Sequence, residues 1–145
     1  YKRQLLRSPT NPDPDADKGS HSFTYSLFPH KDSLIHSDVI NEASCLNQEP
    51  ILFDGVVSGK VKIPVKLNGQ GLELSVLKKA EKEDAWIIRI IETHGRVSSG
   101  SIELSGEIAE CDLMEWKELS KREMVSGSFD IRLNPFEIKT FKLFY

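Results

Sequence analysis

Residues 72–91 read LELSVLKKAEKEDAWIIRII, and this stretch decides the fold class. Between residues 72 and 76, leucine and valine alternate with polar residues, which is the period of a strand with one buried face. A charged turn follows at 81–84. Residues 86–91 are then almost continuously apolar, so we expect this strand to be covered on both faces. The stretch therefore predicts two strands joined by a tight connection.

The same signals continue along the chain. Further alternating segments lie at 61–65, 102–104 and 129–133, and residues 136–144 are predicted to form a last β-rich strand. Pro64 marks its segment as an edge strand, while Asn68-Gly69 and Asn134-Pro135 are turn signals. Residues 109–120 carry mixed signals and are predicted to be irregular. Short strands between Gly, Pro and Asn turns predict an all-β protein with an antiparallel sandwich or barrel.

At most one short helix is predicted, at residues 37–46. Ser37 can cap it and Asp38 suits its positive end. The apolar residues that then share one face are Val39, Ile40, Ala43 and Leu46. Cys45 lies on this stretch, and we expect it to be a buried, chemically inert side chain.

The composition is that of a soluble globular domain. The 145 residues are 39% apolar and 28% charged, with a net charge of −3. The basic residues are scattered, so no nucleic-acid partner is expected, and no apolar run approaches the ~20 residues of a membrane span. Two cysteines do not make a disulfide framework, and four unclustered histidines with no CxxC give no structural zinc site.

The segment 3–30, RQLLRSPTNPDPDADKGSHSFTYSLFPH, has two contrasting halves. Three prolines within 7–20 predict a stiff, extended loop, and the alternation at 21–29 predicts a strand. Residues 1–6 also read as a strand and begin without a methionine, so we expect the chain to be part of a longer polypeptide.

Aspartates at 13, 15 and 17 are typical of the start of a calcium loop. Lys18 and Thr24 occupy the positions where such a loop needs its glycine and its glutamate, so a solvated loop is favoured. His21 is expected to be hydrogen-bonded at the junction of loop and strand rather than bound to a metal ion.

Other residues carry weaker signals. Acids that could pair for glycoside hydrolysis are Asp13, Asp15, Asp17, Glu73 and Glu103, and the sequence places none opposite another. Trp86 and Trp116 could stack on a sugar ring, although the isoleucines beside Trp86 favour a core position for it.

Three groups of motifs run in order over essentially the whole chain. The first is LLRSP at 5–9 and PD at 12–13, followed by Asp17-x-Gly19-x-His21-x-Phe23-x-Tyr25-x-Leu27-x-Pro29-His30. The second is LKKAE at 77–81, IRIIE at 88–92 and Gly95, and the third is NPFEIKTF at 134–141. Asn47 before Pro50 and Asp112-Leu113-x-Glu115 also fit. Together these motifs resemble the C-terminal β region of glycoside hydrolase family 38, the α-mannosidases, in its bacterial and cytosolic branch.

The resemblance implies a fold and an activity. Residues 1–50 would end a mutarotase-like supersandwich and residues 51–145 would form a small β-sandwich, both within the C-terminal portion of a longer enzyme. That enzyme would be a retaining α-mannosidase of the cytoplasm, with an aspartate nucleophile and an active-site zinc ion. Neither the nucleophile motif nor the zinc-ligand motif occurs here, so no catalytic residue, metal ligand or cofactor is assigned to this chain.

The expected partners are the N-terminal catalytic domain of the same polypeptide and, through it, an α-mannoside, with homo-oligomer formation left open. Family resemblance makes the loop from Arg7 to His21 the candidate for contact with the active-site face. Its candidate substrate-proximal residues are Arg7, Asp13, Asp17, His21 and Tyr25. Arg7 can bind a carboxylate or sugar hydroxyls, while Asp17 and His21 could orient one another across Gly19. Alternatively, these residues only pin the loop to the sandwich.

Two other functions remain open. A stand-alone carbohydrate-binding module would need exposed aromatic residues, whereas most aromatics here are predicted to face inward. An assembly domain would need a large exposed apolar patch.

Overall fold

The computed structural model describes residues 4–48, 50–52, 54–55 and 65–145. The chain divides into two compact units, Tyr1–Leu52 and Phe53–Tyr145. Among the helices in these described ranges, none is long and apolar enough to cross a membrane. The assignment of the two parts to a large and a small sandwich stays a prediction.

The second unit is an antiparallel sheet of six strands. The strands are β1 (Lys66–Asn68), β2 (Leu72–Lys79), β3 (Trp86–Glu92), β4 (Ser98–Cys111), β5 (Glu123–Leu133) and β6 (Ile138–Phe144). Their order is β1-β4-β6-β3-β2, with β5 on β4. The long β4 pairs with β5 along one edge and with β1 and then β6 along the other. This arrangement curls the sheet around its apolar face, and the predicted all-β, antiparallel sandwich is confirmed.

The core of this unit comes from every strand except the outer ones at β1 and β2, whose leucines pack against it. Its fully buried members are Ile88, Ile90, Ile102, Leu133 and Leu143, each 0% exposed. Ile87, on the opposite face of β3 from Ile88, is also 0% exposed, so the expectation that this strand is covered on both sides is confirmed there. Burial of a large aliphatic side chain stabilises a fold by about 1.5–3 kcal/mol.

The predicted turns of this unit are also confirmed. Asn68-Gly69 connects β1 to β2, where Gly69 has a φ of +147° and approaches Gly100 of β4 closely. Residues 112–117 form an irregular turn after β4, as predicted, but residues 109–111, also predicted to be irregular, belong to β4 and pair with β6. Of the predicted strand 61–65, residues 61–64 lie outside the described residues.

The first unit contains one helix, α1 (Val39–Asn47), preceded by a short 3₁₀ turn at Leu34–His36. The predicted helix is therefore confirmed, but the predicted cap is wrong. The N-cap residue is Asp38, not Ser37, and its side chain makes no cap bond. The Ser37 hydroxyl donates instead to the carbonyl oxygen of Leu34, at 2.9 Å. Cys45 is exposed, so its predicted burial is also wrong.

The predicted strands at 21–29 and 1–6 are not formed in the described residues. Residues 21–29 and 4–6 have no strand pairing, and Leu27 is 90% exposed. Alternation makes a segment compatible with a strand, but a strand also needs a neighbour that takes its backbone hydrogen bonds. Within residues 4–48 no strand is present to supply them. No described residue of this unit is buried, so it lacks an apolar core in these ranges.

Candidate functional site

The loop from residue 7 to residue 21 is organised by its aspartates. The Asp13 carboxylate accepts the backbone N–H of Asp15 at 2.9 Å, and the Asp13 carbonyl accepts that of Ala16 at 3.3 Å. Asp15 forms an exposed ion pair with Lys18. These are local turn contacts of the kind that short acidic side chains favour. Two of the three aspartates are therefore used by the loop itself.

Asp17 and His21 do meet, although not through the carboxylate. Nε2 of His21 lies 2.7 Å from the backbone carbonyl oxygen of Asp17. A carbonyl oxygen can only accept, so Nε2 carries the proton and donates it. Asp17 has a φ of 57°, a left-handed conformation that aspartate tolerates better than most residues. The His21 ring also stacks on Phe23, with centroids 6.0 Å apart.

All five predicted site residues are exposed. The hydrogen bond between His21 and Asp17 is the one contact that the described residues show among them. Tyr25 is 69% exposed. Within the described ranges, no three His, Cys, Asp or Glu side chains converge so that they could hold a metal ion. The assignment of Arg7, Asp13, Asp17, His21 and Tyr25 to a substrate-proximal loop stays a prediction.

In the second unit, the Glu92 carboxylate joins the end of β3 to two turns. Oε1 accepts the backbone N–H of His94 at 2.9 Å and the hydroxyl of Ser98 at 3.0 Å. Oε2 accepts the backbone N–H of Gly95 at 2.8 Å and that of Phe136 at 2.9 Å. Glu92 is only 1% exposed. Burial disfavours its charged form, but the four donors outweigh that penalty and lower the pKa of Glu92 to about 2.

Of the two turns that Glu92 joins, the one at Phe136 is strained. Phe136 has a φ of 58°, which is unusual for an aromatic residue, and its ring lies against Gly95. A Cβ atom on Gly95 would lie 2.5 Å from Phe136 Cζ. Gly95 is therefore required both by its own φ of +68° and by the ring that covers it.

Arg89 makes a second, half-buried junction. Its Nη2 donates to Glu115 Oε1 at 2.9 Å and to the Leu113 carbonyl at 3.0 Å, while Nε donates to Thr140 Oγ1 at 3.1 Å. Lys78 approaches the other oxygen of Glu115 at 3.0 Å. This network connects β2, β3 and β6 to the segment after β4. Like Glu92, Arg89 forms its hydrogen bonds with groups of the same unit.

Comparison with known proteins gives the family. Residues 71–141 match the model of the glycosyl hydrolases family 38 C-terminal beta sandwich domain. The sheet unit is a family 38 C-terminal β-sandwich domain. Its match contains Arg89, Glu92, Gly95 and Phe136, whereas the loop at 7–21 lies outside it.

Three α-mannosidases are similar to nearly the whole chain. Alpha-mannosidase G of Dictyostelium discoideum is 34% identical over 95% of this chain and 14% of its own length. Alpha-mannosidase 2C1 of Mus musculus is 29% identical, over 96% and 14%, and Alpha-mannosidase of Saccharomyces cerevisiae is 25% identical, over 97% and 15%. The chain thus spans about one-seventh of the length of these relatives.

The sequence located the family 38 motifs without revealing what they do. The Glu92 contacts join the second motif to the third, and the Arg89 contacts join the second to the Asp112–Glu115 cluster. Sequence reasoning did not identify Glu92 as a buried acceptor, although a glutamate that ends an otherwise apolar strand is the signal that could have found it. Cys111 is buried, and burial raises the pKa of its thiol to about 11, which rules out a ready nucleophile there.

Proposed function

We propose that this chain is a non-catalytic C-terminal portion of a retaining α-mannosidase that hydrolyses terminal α-D-mannosides. Its role is to support a catalytic domain that belongs to the same polypeptide and supplies the aspartate nucleophile and the zinc site. The similarity to three α-mannosidases supports the activity of the whole protein. The free cysteines and the resemblance to the cytosolic branch support a cytoplasmic enzyme.

One observation carries the supporting role. The polar motif residues of the sheet unit are turned inward, where Glu92 accepts four hydrogen bonds and Arg89 donates three. A catalytic acid needs a free oxygen that faces a cleft and a pKa matched to proton transfer near neutral pH. Glu92 has neither, because its oxygens are occupied and its pKa is about 2. The motifs are thus better explained by stability than by chemistry.

The first test is an activity assay on the isolated chain. Purified protein is incubated with an aryl α-mannoside, with and without added zinc, beside a full-length family 38 enzyme. We expect turnover by the full-length enzyme alone. Zinc-dependent hydrolysis by the isolated chain would mean that the active site lies within these residues and would overturn the proposal.

The second test concerns the loop at 7–21, for which we propose contact with the active-site face. In the full-length enzyme, Arg7→Lys removes bidentate hydrogen bonding and retains the charge. If Arg7 contacts the substrate, we expect the variant to lose ~1.4 kcal/mol of substrate binding, which corresponds to a tenfold rise in KM. The matched control is Arg132→Lys, an exposed arginine of the sheet unit. An unchanged KM with a lower melting temperature would show that the loop is only pinned to the sandwich.

A carbohydrate-binding module is the second candidate, and one observation favours it. The expectation that most aromatics face inward is wrong, since Tyr25 is 69%, Trp116 65%, Phe136 71% and Tyr145 73% exposed. Exposed aromatic rings are what a sugar needs for stacking. Mannose titrated into the isolated chain, with tryptophan fluorescence as the signal, separates the two functions. A saturable response would favour the module, and no response is expected from a support.

A further inference from the structure

The segment after β4 presents its apolar side chains to solvent. Four of them form the surface that we call the Trp116 surface: Leu113 (58% exposed), Met114 (61%), Trp116 (65%) and Leu119 (59%). Single exposed apolar residues are ordinary, but four within seven positions of one turn are not. Tryptophan and methionine are also enriched in the centres of protein interfaces.

The backbone beneath this surface is held at many points. Asp112 Oδ1 accepts the N–H of Trp116 at 2.8 Å, and the N–H of Asp112 donates to the Lys117 carbonyl at 2.9 Å. The N–H of Leu119 donates to the Glu110 carbonyl at 2.7 Å. The segment is therefore an ordered turn that displays its apolar side chains in fixed positions, and it loses little entropy when a partner binds.

One charge of this segment is turned away from solvent while its apolar side chains face it. Glu115 points inward, with its side chain 13% exposed, and pairs with Arg89, whose side chain is 19% exposed. Glu115 also has a φ of 64°, a left-handed conformation that costs free energy for a residue with a Cβ atom. A solvated turn would be expected to show its charges and hide its leucines. This turn holds the Glu115 carboxylate inside and leaves its four apolar side chains available for contact.

The charges around the Trp116 surface indicate what can cover it. Lys82 lies over the Trp116 ring, with Nζ 4.5 Å from the ring centroid. Lys117 and Lys121 belong to the same segment, and none of these three lysines forms an ion pair within the described residues. Of the nearby acids, Glu83 is paired with Lys142 and Glu118 with Arg122. The three lysines therefore outnumber the remaining acids, Glu81 and Asp112, and a second copy docked through this surface would bring like charges together, which is unfavourable. The surface therefore suits an apolar recess with an acidic rim.

We propose that the Trp116 surface docks against the remaining part of the same α-mannosidase polypeptide, which presents such a recess. This inference rests on the proposed function and adds the place of contact to it. The relatives devote about six-sevenths of their length to sequence outside the matched region, and the matched domain is described as C-terminal. The occupant is thus a covalently attached, upstream part of the protein rather than a diffusing partner.

The chain contains a built-in control for this proposal, because its two methionines are Met114 and Met124. Met114 belongs to the Trp116 surface and is 61% exposed, whereas Met124 lies on β5 and is 69% exposed. Dilute hydrogen peroxide oxidises accessible methionine to its sulfoxide, which peptide mass spectrometry quantifies at each position. The rates are compared in the isolated chain and in the full-length enzyme, both unmodified.

In the isolated chain we expect the two methionines to oxidise at rates within about threefold of each other. In the full-length enzyme we expect at least a ~10-fold slower rate at Met114 and an unchanged rate at Met124. Equal rates in both proteins would overturn the proposal. So would protection of Met114 in the isolated chain that increases with protein concentration, or that appears when an oligomannoside is added, since a second copy or a sugar would then be the occupant.

A variant separates this inference from the function on which it rests. Trp116→Ser in the full-length enzyme should restore most of the oxidation rate of Met114, while the control Tyr145→Ser should not. α-Mannoside hydrolysis is assayed on the same samples. An enzyme without that activity but with Met114 protected would support the docking surface while refuting the proposed function. Active enzyme with Met114 unprotected would refute the docking surface alone.

Discussion

Replacing Glu92 with glutamine should destabilise the sheet unit by about 3 kcal/mol. An amide has the shape of the carboxylate but offers one acceptor oxygen instead of two. If its NH₂ takes the place of Oε1, the Ser98 hydroxyl can turn to accept it, but the N–H of His94 loses its acceptor at 2.9 Å. If the NH₂ takes the place of Oε2, the N–H groups of both Gly95 and Phe136 lose theirs. A buried unpaired donor costs about 1–3 kcal/mol.

The lowered pKa, which has the same four hydrogen bonds as its cause, gives a similar magnitude. The pKa of Glu92 falls from 4.5 to about 2, and each unit of difference corresponds to ~1.4 kcal/mol, so the charged form gains about 3 kcal/mol on folding. Because the folded pKa is depressed, this contribution is fully present above pH 4.5 and is lost as the pH falls towards 2. The glutamine variant cannot titrate there, so it should lack this part of the acid destabilisation.

Urea unfolding followed by circular dichroism measures both effects. With a slope of ~1.5 kcal/mol per molar urea, a loss of 3 kcal/mol lowers the midpoint by about 2 M. Curves at neutral pH and at several values between 2 and 4.5 are recorded for the wild type, for Glu92→Gln and for Glu123→Gln, a control at an exposed position of β5. A loss below 1 kcal/mol, or the same acid dependence in wild type and Glu92→Gln, would refute the reasoning.

Two further outcomes follow from the same unit. Gly95→Ala should cost about 2–3 kcal/mol in urea unfolding, because its Cβ would lie 2.5 Å from Phe136 Cζ at a φ of +68°. A loss of only about 1 kcal/mol, which the positive φ alone would cause, would contradict the proposed clash. Iodoacetamide at pH 8 should alkylate Cys45 at least ~10-fold faster than Cys111, because Cys45 is exposed while burial raises the pKa of Cys111 to about 11. Mass spectrometry of the peptides measures both rates, and faster alkylation of Cys111 would contradict this prediction.

The strands of the sheet unit were predictable because they obey a local rule. The alternation of residues 129–133 and the continuous apolar run at 86–91 both appear as strands of the sheet. The helix at Val39–Asn47 likewise follows the apolar spacing of its own residues. In each case the pattern lies within one segment and needs no knowledge of the neighbours.

The failed predictions all depended on neighbours. The alternation at 21–29 has the strand period, but the described part of its unit contains no strand to pair with it. Ser37 has the chemistry of a cap, yet its hydroxyl donates to a carbonyl in the preceding turn. Cys45 lies among apolar residues in the sequence, but no core forms around it in the described ranges. Local patterns state what a segment is able to do, and competing contacts decide what it does.

For the candidate sites as well, the sequence revealed the motifs but not the contacts between them. The motif at 88–92 and the motif at 134–141 could be located from the residues alone, together with the family that they resemble. That Glu92 accepts the N–H of Phe136 could not, because the two residues are 44 positions apart and meet only through the pairing of β3 with β6.

The amino-acid sequence by itself determined the β class of this protein and its resemblance to the family 38 C-terminal β region, since periodicity and motifs are properties of single segments. Only the tertiary structure decided that Glu92 is a buried junction and Arg89 a half-buried one, and that the leucines and tryptophan after β4 face outward. The physical reason is that hydrogen-bond satisfaction and burial are relations between distant segments, and they exist only once those segments have been brought together.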